Sequence, residues 1–490
     1  MGETPSILYE NSGGTIFLVD IPASIESAQK PSAQCSSRGT NANQRRPRHK
    51  ATKTHILSSR PLGTPYPGSS EPKTKAAREK VLGRIPASEL EFYAEVQPLI
   101  VNALNHIREN RQPGDSWCTL RSVFEYGCPD PEHSGKPDKS QRGKKRMRES
   151  VPKLLSNEFQ FLTGDSKVDQ EAQRQDASSD PPLILSPGVN RFDSMSEISN
   201  TLARNTSFQE AVIQVRCHCD VEEESSVSIV SADELSQNGQ QHHHYHTFYV
   251  PPSSNLLLRK LPITPSCTNV QQSPPMQPIP GLPRDQKFNL ILFDPPWSNR
   301  SVRRSGHYHT QCYLDDDSLS RKISDILKIH STDTTIWAPN SSIAAIWVTN
   351  SAKSKKIACN ALHEAGFMVC EEWIWIKTTT KGEPVTPLEG LWRKPYEVLV
   401  IGKRACNQWK TRGPNQIFQR VIAAVPDVHS RKPHLRDLFE KVFFSPEDVP
   451  NPFNRGRTYS ALEVFARNLT AGWWACGDEV LLFNSEEWWI

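Results

Sequence analysis

The sequence contains no apolar run of about eighteen residues, the length a helix needs to cross a bilayer, and its start lacks a secretory-signal pattern. The chain is therefore expected to be soluble, unsecreted and without a membrane partner. It also lacks a dominant charge. With 58 Lys and Arg against 54 Asp and Glu, a net charge of +4 is too small to coat a nucleic acid, so any basic surface has to be local. Paired cysteine spacing is missing too, and eleven scattered Cys fit reduced thiols inside a cell. Cys217 and Cys219, upstream of the tract His242-His243-His244-Tyr245-His246, have no second spaced pair, so they fall short of a zinc pattern and no metal is expected. Apolar residues are sparse, at 36% with a mean hydropathy of −0.57 and 39 Pro, so much of the 490-residue chain is not expected to build a core.

Composition divides the chain into five stretches. Residues 1–25 carry two short apolar runs, Ile7-Leu8-Tyr9 and Thr15 to Val19, split by Gly13-Gly14, which read as an N-terminal hairpin docking on something further along. Residues 26–80 are rich in Ser, Pro, Thr, Lys and Arg and read as a disordered basic linker, with a dense cluster from Arg45 to Lys50. Residues 81–165 form a helical N-terminal region. Its best helix is Ala87 to Arg111, capped by Ser88 and interrupted at Pro98, and it ends near a second basic run, Lys136 to Arg148. The two basic runs suggest nuclear import or phosphate contact, against the plainer reading of solvated loop charge. Residues 166–247 mix strands, Leu183-Ile184-Leu185 and Ala211 to Val215, with polar linkers. In residues 248–490 strand and helix alternate, which predicts a doubly wound α/β sheet.

Within that last stretch one segment organises the rest: Phe288 to Phe293 reads as a fully buried strand that stops at Asp294-Pro295-Pro296-Trp297. Neither proline can continue a central strand, so the acid sits at the strand's carboxyl end, where α/β sheets bind ligands. A carboxylate, proline carbonyls expected to lack ladder partners, and an indole would then converge on one small volume. That grouping suits a poor nucleophile such as the exocyclic amine of adenine. Asp294 and the Pro295 carbonyl would accept amine hydrogens and stabilise the positive charge growing on nitrogen, while Trp297 would stack on the base. On these four residues alone, a strand-ending Asp and a core Trp remain the plainer alternative. The polar loop that follows, with Arg300, Arg303 and Arg304, is placed for phosphate, as is Lys377 at the end of a Trp- and Ile-rich strand.

Asp294-Pro295-Pro296-Trp297 after a buried strand resembles the signature of the eukaryotic adenine-N6 methyltransferases. The subgroup of methyltransferase-like protein four is matched by Asn299 to Ser305, Gly382-Glu383, Lys394-Pro395-Tyr396-Glu397, His429-Ser430, Lys432-Pro433-His434 and Phe465-Ala466-Arg467-Asn468-Leu469. The likeness runs from about Phe248 to the C-terminus. It implies a Rossmann-like S-adenosylmethionine-dependent methyltransferase sheet in permuted order, the catalytic motif preceding the cofactor motif, behind a partly disordered N-terminal half. No Gly-X-Gly motif precedes Asp294, as that order requires.

Carried over by position, the resemblance gives Lys432 to the methionine part of S-adenosyl-L-methionine, and Arg467, Asn468, Asp478 and Glu479 to its ribose and adenine. Glu397 and Trp297 would line the substrate base. Asp478 stands where relatives often carry Asn, and a Pro- and Arg-rich insertion lengthens the loop from Phe444 to Tyr459. Lys432 and Arg467 as surface ion-pair formers, and Glu397 as a strand-edge charge, are the bland alternatives. The expected function is methyl transfer to N6 of an unpaired adenosine in RNA, with 2′-O-methyladenosine of small nuclear RNA the narrowest form, or in DNA; the expected location is the nucleus, with the cytoplasm as a further location beside it. The rival is a non-catalytic nucleic-acid-binding or scaffold subunit of a methyltransferase complex. The sequence leaves the oligomeric state open.

Overall fold

The computed structural model describes residues 4–32, 55–66, 71–72, 74–124, 181–217, 245–263, 277–297, 316–332, 342–391, 393–404, 417–444 and 459–490. The basic runs near Arg45 and Lys136, residues His242 to His244, the Arg300 to Arg304 loop, the apolar run at Thr334 and the insertion before Tyr459 all lie outside them.

In chain order the strands are β1 (Ile7–Glu10), β2 (Ile16–Val19), β3 (Leu183–Ile184), β4 (Gly188–Phe192), β5 (Leu202–Arg204), β6 (Ala211–Arg216), β7 (Tyr245–Val250) and β8 (Asn255–Leu258). They continue with β9 (Leu290–Phe293), β10 (Ile343–Val348), β11 (Phe367–Lys377), β12 (Tyr396–Arg404), β13 (Phe418–Ala424), β14 (Ala461–Val464) and β15 (Trp474–Gly477). The helices are α1 (Ile21–Ala28), α2 (Lys75–Leu82), α3 (Ala87–Glu109), α4 (Asp316–His330), α5 (Ala352–Glu364) and α6 (Arg436–Phe443).

Twelve strands form one sheet in the order β1-β2-β13-β11-β12-β10-β9-β14-β15-β8-β5-β3, and β4-β6-β7 form a second, smaller one. The centre, β10-β9-β14-β15-β8, is wholly parallel. Parallel strands need both faces covered, and both are. On one face α3, α4 and α5 bury Ile100, Ile323 and Leu362 against Ile291 and Phe293. On the other, α1, α6 and the C-terminal tryptophans bury Ile25, Phe439 and Trp488 against Leu290 and Leu292. The sheet is thus the expected Rossmann-like α/β type, and β9 precedes β14 and β15 in the chain, the permuted order.

Several expectations are corrected. The stretch 26–80 is not uniformly a linker: Ile56 is buried and bridges Trp489, Ser58 bridges Val123, and α2 begins at Lys75. One Ile-Leu pair finds a groove by pairing with the C-terminus, a partner far away in sequence. Helix α3 is capped at Pro86 rather than Ser88, which lies within the helix. The run Val480 to Phe483, expected as a closing strand, is a turn and a short 3-10 helix, Leu482–Asn484, held where Asn484 accepts from Leu469 N–H at 2.7 Å and donates to the Tyr249 carbonyl. Strands β4, β5, β13 and β15 were not anticipated, because their sequences carry little apolar–polar alternation.

Candidate active site

Side chains alternate across β9, so Leu290 and Leu292 enter one core while Ile291 and Phe293 enter the other, and Asp294 emerges at the carboxyl end on the Leu292 side. Asp294 N–H still donates to the Val464 carbonyl at 3.2 Å. The ladder ends there, because the next two residues are prolines. The Pro295 carbonyl, expected to lack a partner, accepts from Trp297 N–H at 2.8 Å and closes a tight turn with one of its lone pairs. Trp297 is anchored edge-on: its indole N–H donates to the Trp347 carbonyl at 2.7 Å while its ring packs against the apolar core.

Around Asp294 runs a chain of alternating charge. Lys432 Nζ lies 2.7 Å from each carboxylate oxygen, and Arg467 Nη1 lies 3.1 Å from Oδ2. Arg467 Nε donates in turn to Glu479 at 2.8 Å. On the other side Lys432 stands 3.8 Å from Glu397, which holds Lys377 at 2.5 Å. Lys377, expected at phosphate, thus gives its ammonium to Glu397 and lies 4.6 Å over the Trp375 ring. Burial alone would raise the Glu397 carboxyl, but Lys377 and then Lys432 hold it down at about 2. Asn468 lines the same cleft, whereas Asp478 is exposed just beyond β15. Arg300, Arg303 and Arg304 lie outside the described residues.

The loop carrying Lys432 is fixed from the N-terminal part of the chain. Asp427 binds Arg431 at 2.7 Å and faces Arg121 at 3.8 Å, and all three side chains are almost fully buried. Arg121 also donates to the carbonyls of Val425 and Pro426, at 2.7 and 2.8 Å. Arg431 donates to the Leu57 carbonyl and lies 4.5 Å over the rings of Phe483 and Trp488, which take the place of further acceptors.

The cleft is open to solvent and lined by Asp294, Trp347, Lys432, His434, Glu463 and Arg467 among others. Glu463 escaped the sequence reading, in which Ala461 to Phe465 looked like an ordinary strand. The signal was there, since a carboxyl inside an otherwise apolar parallel strand is rare without a purpose. Burial, then the neighbouring Asp294, push its carboxyl up to about 8 against the pull of Lys432 and Arg467. His434 is held neutral, down at about 3, by burial and then by Arg436, and shares a 2.7 Å hydrogen bond with Thr470. The donor set suits a ligand bearing a carboxylate for Lys432, hydroxyls for Arg467, Asn468 and Glu479, and positive charge for Asp294 and Glu463.

Comparison with known proteins agrees with this geometry. The MT-A70 family model matches residues 288–479. The N6-methyladenosine RNA methyltransferase MTA1 of Cryphonectria parasitica is 41% identical over 208 residues, 41% of this chain and 54% of that protein. The N(6)-adenine-specific methyltransferase METTL4 of Homo sapiens is 32% identical over 226 residues, 44% of this chain and 42% of its own length. A DNA N6-methyl methyltransferase of Caenorhabditis elegans is 30% identical over 204 residues, 41% of this chain and 48% of that protein. The chain spans about half the length of these curated relatives. Residues 288–479, with Asp294 at the end of the central parallel strand and the Lys432 and Arg467 cleft beside it, thus form a domain that matches the MT-A70 family model.

Proposed function

We propose that the chain is an S-adenosylmethionine-dependent adenine-N6 methyltransferase acting on an unpaired adenosine in RNA, with DNA adenine as the alternative substrate. The observation that carries the reading is the Asp294 carboxylate at the open end of a buried strand, ringed by Lys432, Arg467 and Glu463 in one cleft. When bound, S-adenosylmethionine supplies a methyl group already activated on a sulfonium. The residues fit such a ligand by charge, with Lys432 for its carboxylate and Arg467, Asn468 and Glu479 for its ribose. Asp294 accepts a hydrogen bond from the adenine amine, draws the nitrogen toward a tetrahedral shape, and takes the proton that has to leave as the nitrogen gains carbon. Trp297 and Glu397 border the base. A 2′-O-methylated adenosine of small nuclear RNA is the narrowest target consistent with the subgroup resemblance, and a nuclear location, resting on the two basic runs, belongs to the same proposal.

The described state adds an order of events. Both Asp294 oxygens are engaged by Lys432 and one also by Arg467, so three of the carboxylate's roughly four acceptor sites are taken and its charge is already paired. A ligand carboxylate that draws Lys432 away frees it, so cofactor is expected to bind before nucleic acid. The test is to incubate the protein with methyl-labelled cofactor and RNA or DNA, digest to nucleosides, and identify the labelled one. Label in N6-methyladenosine, reduced by about 10²–10³ or more in Asp294→Ala, is the expected result. A parent protein that binds no S-adenosylhomocysteine and labels no nucleoside would instead be a scaffold.

A further inference from the structure

Among the charged groups lining the cleft, Glu463 is the one with no ion-pair or hydrogen-bond partner among the described residues. Its Cα partner on β9 is Leu292, one pleat short of Asp294, so it projects from the same face into the same cleft. No side chain or backbone group among the described residues donates a hydrogen bond to its carboxyl, although Lys432 and Arg467 are near enough to act on its charge. Those two cations are already committed: Lys432 to Asp294 and Glu397, Arg467 to Asp294 and Glu479. The groups facing Glu463 are therefore Asp294 from β9, Lys432 and neutral His434 from the loop before α6, and Arg467 after β14. Within the ion chain beside Glu463, Lys432 and Arg467 balance Asp294 and Glu479, and Lys377 balances Glu397, so that chain is neutral with Glu463 protonated. A ligand with net charge +1 breaks that balance, and one with net charge zero does not.

S-adenosylmethionine carries a sulfonium, an ammonium and a carboxylate, net +1. S-adenosylhomocysteine lacks the sulfonium charge and is net neutral. We propose that Glu463 is the charge-matching residue of the cofactor cleft, giving up its proton to solvent when the cationic cofactor enters and regaining one when the neutral product remains. This rests on the methyltransferase reading and deepens it: Glu463 separates substrate cofactor from spent cofactor, which differ by one methyl and one charge. At pH 7 a carboxyl held near 8 is mostly protonated, so the proton is there to be released.

The experiment is titration calorimetry at pH 7 with full-length protein and no nucleic acid, in two buffers of different ionisation enthalpy. Close to one proton released per S-adenosylmethionine bound, and almost none per S-adenosylhomocysteine, is the expected result. In Glu463→Gln, nearly isosteric and checked for an unchanged unfolding midpoint at pH 6, the release should vanish. Affinity for S-adenosylmethionine should then fall about tenfold relative to that for S-adenosylhomocysteine. Binding of both ligands by the parent protein without differential proton release overturns this inference alone. So does an equal loss of affinity for both ligands in the variant. Failure of the parent protein to bind either ligand overturns the methyltransferase reading and this inference with it.

Discussion

Replacing Asp427 by Asn keeps the shape of the buried cluster and removes its only negative charge. Arg121 and Arg431, with side chains 0% and 1% exposed, would then face each other with no counter-ion. Removing one partner of a buried ion pair costs about 3–5 kcal/mol, and here one carboxylate serves two guanidiniums, so the upper end of that range is expected. Asp427 also accepts from Ser59 N–H at 2.8 Å, a bond that Asn can keep, so the loss is one of charge rather than of shape. With a urea m-value of about 3 kcal/mol/M, the unfolding midpoint read by tryptophan fluorescence should fall by at least about 1 M. Arg121→Met alone should cost less, about 2–3 kcal/mol, because Asp427 keeps Arg431 at 2.7 Å and the main loss is two charged hydrogen bonds to the Val425 and Pro426 carbonyls. Combining the two changes leaves one unpaired guanidinium instead of two, so the double variant should be more stable than the sum of the singles by about 1 kcal/mol or more. Because Arg431 adjoins Lys432, Asp427→Asn should also weaken S-adenosylhomocysteine binding about tenfold. A midpoint change worth less than about 1 kcal/mol, or strict additivity, would refute the argument.

Glu397 is a depressed carboxylate, about 2 in the fold against an ordinary 4.5, so its ion pairs stabilise the protein above 4.5 and that contribution, at most about 3 kcal/mol, is lost as pH falls toward 2. Stability curves measured from pH 6 to pH 2 should therefore be flatter in Glu397→Gln, and identical slopes would count against the pairing. Gly382 has φ +79°, and a Cβ there would overlap the Trp117 indole, whose N-terminal segment also donates from Trp117 N–H to the Thr380 carbonyl. Gly382→Ala should cost about 2 kcal/mol or more and raise proteolysis around Trp117, whereas Ala at open Gly472, also at positive φ, should carry only the backbone cost of about 1 kcal/mol.

What was legible in the sequence was what a local pattern carries. Phe288 to Phe293 stops at two prolines, so the buried strand and its terminal acid could be placed without a structure. Gly366, at φ +79°, ends α5 one residue from where the amphipathic stripe runs out. The ion chain was only half legible. Lys432, Arg467, Glu397 and Glu479 were named through resemblance, yet nothing local says that Lys377 turns to Glu397 rather than outward, because that depends on the antiparallel register that sets Trp375 opposite Glu397. Glu463 was masked by its apolar neighbours. Arg121, Asp427 and Arg431 were invisible, since their partnership joins positions some three hundred residues apart and each looks like surface charge in isolation.

That long-range pairing changes what the N-terminal half is. The hairpin β1-β2 forms one edge of the twelve-stranded sheet, with Ile16, Phe17 and Leu18 pairing in parallel with Val421, Ile422 and Ala423 of β13. Residues 55–57 pair with 488–490, so the stretch around Ile56 and the C-terminal residues close one wall together, and Leu57 and Arg121 grip the loop that delivers Lys432. Helix α3 buries Val96, Ile100, Leu104 and Ile107 on the sheet, and its Glu89 accepts from Ala352 N–H at the first turn of α5, beside the carboxyl end of β10. A chain ending its N-terminal side at 248 would leave β13 as an unpaired apolar edge and strand Asp427 and Arg431 without Arg121. Unpaired edges invite association and unbalanced buried charge loosens loops, so the described segments before β7 brace the sheet edge and the loop that carries Lys432.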